Sequence, residues 1–108
     1  MIVNKNLIKG ISELLSSSGK YYIVTTLYLC NTSTSNSAIV SVYAVQAGSI
    51  VGNDSLILKD LELEPTETLI FNIERMSIEK GDAIYAKCDT DTVSATLSAV
   101  NVSTPSSV

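Results

Sequence analysis

A chain of 108 residues, 45% hydrophobic and only 17% charged, suffices for one domain with a modest core. Its net charge of -4 and lack of a basic stripe argue against direct nucleic-acid binding. It has no histidine, so the usual base for nucleophilic catalysis is missing, and no apolar run approaches the roughly 18 residues of a membrane span.

Ser and Thr make up about a quarter of the sequence. Thr and the β-branched aliphatics suit a pleated, half-buried surface. A surface this poor in charge is expected to be partly covered by other chains, so a homo-oligomer is expected. Every acid except Glu13 lies between Asp54 and Asp91, whereas the N-terminal stretch carries Lys5, Lys9 and Lys20. That asymmetry would suit a head-to-tail contact between subunits, but ordinary solvated surface is the preferred explanation.

Residues 7–18 are ambiguous. Leu7, Ile8, Ile11, Leu14 and Leu15 fall at helical spacing. Gly10 interrupts them and Ser16-Ser17-Ser18-Gly19 ends them, so a strand over 6–11 and then an irregular or strand-like stretch is preferred to a marginal helix. Residues 21–30 form a strong strand, apolar on both faces and therefore central. The loop 31–37 follows, and 38–46 is the next strand. Loop 31–37 reads first as a hairpin connection, but a sandwich could also send its two strands to different sheets.

Gly48, Gly52 and Asn53 break the chain before a strand at 56–63. Pro65 marks a turn, 68–73 is a strand, and 74–79 is a link in which Met76 and Ile78 tuck under the fold. Lys80-Gly81-Asp82 is a tight turn, and 83–88 is a strand. In the last strand Val93, Ala95, Leu97 and Ala99 alternate with Ser94, Thr96 and Ser98, one face inward and one outward. About six to eight such strands predict an all-β, antiparallel β-sandwich, Ig-like or jelly-roll-like. Residues 1–20 are an N-terminal extension or first strands and a candidate assembly arm, 21–102 the sandwich, and 103–108 a tail.

Reactive chemistry is sparse, and no catalytic residue, cofactor or metal site is assigned. Asp89 and Asp91, with Asp54 or Asp82, are the candidates for calcium, but the full loop pattern is absent and a carboxylate-capped turn explains them. Cys30 and Cys88 read as buried thiols, paired only if their strands are neighbours. Asn31, Asn53 and Asn101 each begin a glycosylation acceptor pattern, expected to be chance in a Ser-rich chain without a signal peptide. The five tyrosines fall on strands as packing residues.

The segments 26–33 (TLYLCNTS), 40–45 (VSVYAV), 56–61 (LILKDL) and 78–87 (IEKGDAIYAK) resemble, in content and order, small structural proteins of tailed bacteriophages, above all those of marine and cyanobacterial phages. The resemblance spans about 21–102. It implies a β-sandwich used as a virion part, made in the host cytoplasm, not an enzyme, with other virion proteins and copies of itself as partners. Capsid decoration is slightly favoured over a tail, neck or baseplate role; the alternative is a receptor- or glycan-binding module at a fibre or baseplate tip. The segment 1–11 is expected to add to a neighbour's sheet edge. The expected contact residues are Ile2, Val3, Leu7, Ile8, Leu14, Leu15, Ile50 and Val51.

Overall fold

Apolar side chains at every second position build strands that must bury one face, and here two sheets bury theirs against each other. The computed structural model describes residues 1–102. Its strands are β1 (Ile2–Asn6), β2 (Gly10–Ser16), β3 (Tyr21–Asn31), β4 (Ala38–Val45), β5 (Leu56–Leu63), β6 (Thr68–Ile78), β7 (Ala83–Cys88) and β8 (Val93–Val102). One 3-10 turn, Asn53–Ser55, precedes β5.

The first sheet has the order β1-β8-β3-β6 and the second β2-β7-β4-β5. All pairings are antiparallel. Strands β1 to β4 therefore run beside β8 to β5, as one long hairpin that closes at β4–β5 and is rolled into two layers. This nesting makes the sandwich a jelly roll rather than an immunoglobulin-like fold. Residues 1–20 supply the first strand of each sheet. The tail expected at 103–108 lies outside the described residues.

The core is the apolar side of both sheets. Leu27, Leu29, Val93, Ala95, Leu97 and Ala99 of the first sheet meet Val40, Val42, Ile84 and Ala86 of the second. The alternation of β8 is realised as expected, and β3 is central, flanked by β8 and β6.

Two expectations need correction. The helical-looking spacing at 7–18 arises from a register shift between Glu13 and Leu15, which lets adjacent Leu14 and Leu15 both enter the core. Ile8 and Ile11 stay exposed, and the strand expected at 6–11 is instead the junction of β1 and β2. The presumed link at 74–79 is mostly the end of β6, interrupted at Glu74 and Arg75, whose φ values are 60° and 71°. Of the two arrangements open for the strands around loop 31–37, the structure has them in different sheets.

Candidate assembly surface

Strand alternation delivers two outer faces of opposite chemistry. On the first sheet, register aligns Ile2, Asn4 and Asn6 of β1 with Ser98, Thr96 and Ser94 of β8. These align with Thr26, Tyr28 and Cys30 of β3, and these in turn with Asn72, Ile70 and Thr68 of β6. None of the side chains in this grid is charged. Ile2 and Ile70 are 71% and 62% exposed, and Tyr28 is 40% exposed. The Thr96 hydroxyl donates to Asn4 Oδ1 at 3.0 Å, which knits the grid across β8 and β1. Lys5 and the Glu74–Arg75 bulge are the charges carried by these strands, and they fall outside the grid.

The outer face of the second sheet is charged. Lys87 lies beside Ile11 on one side and Ser41 on the other. Glu13 faces Tyr85, and Glu62 faces Ile39. Ser41, Asp60 and Lys87 line one small surface hollow together with Ile39, Cys88 and Asp89. A serine beside a lysine and an aspartate invites a search for a nucleophile. The Ser41 hydroxyl instead donates to Asp60 Oδ1 at 3.3 Å and accepts from the Asp60 backbone N–H at 2.9 Å. Ser41 is buried and closes the irregular β4–β5 ladder, where Asp60 has a φ of 49°. It is a structural serine.

Each end of the sandwich is gathered by one side chain. At the end holding the β3–β4, β5–β6 and β7–β8 loops, Asn31 is fully buried. Its amide donates to the carbonyls of Asn36, Leu63 and Glu64 at 2.8, 3.1 and 3.3 Å. Its Oδ1 accepts from the Ser33 N–H at 3.1 Å and the Thr92 hydroxyl at 2.8 Å. With its amide spent and buried, Asn31 cannot carry a glycan in the folded chain, whatever its acceptor pattern. At the other end, Asp82 accepts from the N–H groups of Ala47 and Glu79 at 2.9 and 3.0 Å. The Lys80-Gly81-Asp82 turn is formed as expected, with Gly81 at φ +88°.

Asp89 and Asp91 act as backbone caps. Asp89 Oδ1 accepts from the Ile39 N–H at 2.8 Å, and Asp91 Oδ1 from the Lys9 N–H at 2.7 Å. No group of three or more His, Cys, Asp or Glu residues that could hold a metal occurs among the described residues. Cys88 is in the core, but Cys30 is half-buried on the uncharged outer face, so the reading of two buried thiols holds for Cys88 alone. Both are free, on different sheets. No helix among the described residues is long and apolar enough to cross a membrane.

The contact residues expected from sequence divide cleanly. Leu7, Leu14 and Leu15 lie in the chain's own core, at 0%, 5% and 8% exposure. Their apolarity is used within the fold, which leaves no side-chain surface for a partner. Ile2, Ile8 and Ile50 are exposed, and Val3 and Val51 are half-buried. Of these, Ile2 alone belongs to the uncharged grid. The grid itself escaped sequence reading, because its strands come from opposite ends of the chain. Its one local signal is the hydroxyl side of β8.

No family model and no curated protein matches this chain. Two solved structures, both pentameric capsid proteins isolated from metagenomic phage sequences, superpose with TM-scores of 0.48 and 0.45 at 14% and 13% identity. Each match covers 91% of this chain, which spans 60% and 59% of the two capsid proteins. Likeness this distant carries no functional argument.

Proposed function

We propose that this chain is a non-enzymatic structural protein of a phage particle, present in many copies and held by surface packing. The observation that carries this reading is the uncharged grid on the first sheet, where exposed Ile2, Tyr28 and Ile70 sit among hydroxyls and amides. Such a face meets another protein surface without desolvating a charge. The segmental resemblance to phage structural proteins agrees with it. Capsid decoration is slightly favoured over a tail, neck or baseplate position, because a small sandwich suits clamping a lattice that already exists.

Quantifying the protein in purified particles tests this directly. Copy numbers that match the capsid lattice support decoration, numbers that match a tail or baseplate ring favour those parts, and absence from the particle defeats the proposal. A second reading, a glycan-binding module, is favoured by one observation: Tyr28 is exposed in the middle of a hydroxyl-rich face, as a sugar-stacking platform would be. Saccharide binding by the purified protein, lost in Tyr28→Ala, would select it.

A further inference from the structure

The four sheet edges of this sandwich are not alike. An exposed edge presents unpaired backbone N–H and C=O groups, and proteins blunt such edges with bulges, irregular backbone, short strands and charged side chains. β2 carries a register shift between Glu13 and Leu15. β5 is irregular opposite Val40 to Tyr43, with Asp60 at positive φ. β6 is broken at Glu74 and Arg75, both at positive φ. β1 has no bulge and no positive φ: Ile2 to Asn6 pair with Ser98 to Ser94 without interruption, and Lys5 is its one charge. No described segment pairs with its other side.

The ladder fixes which groups are free. Ala99 N–H donates to the Met1 carbonyl, and Leu7 N–H to the Val93 carbonyl at 2.8 Å. Hydrogen-bonded pairs alternate in an antiparallel ladder, so the odd-numbered residues bond β8. The backbone groups of Ile2, Asn4 and Asn6 therefore point away from the sheet. The side chains of these same residues lie on the uncharged face.

We infer that the free edge of β1 is a self-docking edge, which takes β1 of a second copy in antiparallel register about Asn4. Resting on the many-copy reading above, this inference names the contact. Centring on Asn4 pairs Ile2 with Asn6 of the second copy and Val3 with Lys5 of the second copy. No lysine then opposes another, whereas centring on Lys5 would set two like charges face to face, which is destabilising. The pairing is isologous and closes as a two-fold dimer. It joins two four-stranded sheets into one eight-stranded sheet, with both uncharged grids on the same side. The N-terminal segment thus stays in its own sheet and offers its edge, instead of leaving as an arm.

Sedimentation velocity of the full chain, with and without Asn4→Pro, tests the inference. Proline removes an outward N–H and is tolerated on an edge strand when that N–H is not used by the ladder. The wild type should dimerise reversibly, and Asn4→Pro should weaken the dimer by about tenfold or more at unchanged circular dichroism. A second variant guards against misfolding. Asn4→Cys in a Cys30→Ser background should form a disulfide-linked dimer under mild oxidation, since opposed residues of a hydrogen-bonded pair lie about 5.5 Å apart between Cα atoms. Ile70→Cys, on β6, should not. A monomeric wild type, an unweakened Asn4→Pro dimer or no cross-link through Asn4→Cys would overturn the edge assignment. Copy number in particles is read independently, so the many-copy reading can survive the loss of this edge, or fall without it.

Discussion

The two sheets share one apolar core and differ in what they turn outward. The first shows Ile, Tyr, Thr, Ser and Asn without a charge across its grid; the second shows Lys87, Glu13 and Glu62. Folding requires only the inner faces, so the outer difference is free to serve other purposes. A charged face stays hydrated and resists association, whereas an uncharged one can be covered at low desolvation cost. The contrast lies between layers, not between stretches of sequence, and both layers share one frame.

Breaking the shared frame should have the largest effect. Asn31→Ala removes one residue that ties β3 of the first sheet to the end of β5 in the second. It should cost about 3 kcal/mol, because several partners are left buried and unpaired. Chemical denaturation should show both sheets melting in one transition. Tyr28→Glu with Ile70→Glu puts like charges into the uncharged grid, so particle incorporation should fall by about a hundredfold, or about 2.7 kcal/mol. Thermal melts should show the fold retained, with a loss below about 1 kcal/mol from the two opposed carboxylates.

Gly81→Ala tests the frame at its other end. An added Cβ would lie 2.7 Å from the Ala47 Cβ, at a φ of +88°. A loss of about 2 kcal/mol is expected in the same melts. Ser12→Ala should act in the opposite direction. Ser12 Oγ is buried without a hydrogen-bond partner, so removing it should stabilise the chain by about 0.5 kcal/mol. Lys87→Glu, on the charged face, should change stability by less than about 0.5 kcal/mol and leave incorporation intact. An equal loss of incorporation from Lys87→Glu and from the grid variant would erase the distinction between the faces.

Much of the fold was legible because strand alternation is local. Val93, Ala95, Leu97 and Ala99 announced their inward face, and the two apolar sides of β3 announced a central strand. Bulges were not legible. Leu14 and Leu15 are adjacent, which an ideal strand would place on opposite faces, and their apolarity was read as a contact surface before the structure placed both in the core. Glu74 and Arg75 similarly hid the end of β6. The candidate surface was least legible of all. It exists only after β1, β8, β3 and β6 are set side by side, and pairing between distant strands leaves no periodic trace. The Asn31 loop stood out for its composition, but its purpose, closing one end of the sandwich, needed the three carbonyls that its amide reaches.

The pairing of Ile2 with Ser98 also sets an order of events during synthesis. Of the described strands, β1 leaves the ribosome first and its partner β8 last. Until β8 emerges, the first sheet lacks the strand that separates β1 from β3, and no local hairpin can substitute for it. Closure of the roll therefore waits for a contact spanning nearly the whole chain, the kind that slows folding. During that interval β1 is a strand with both edges unpaired, the condition in which a chain is most open to mispairing. Dilution during refolding should therefore raise the yield of correctly closed chains.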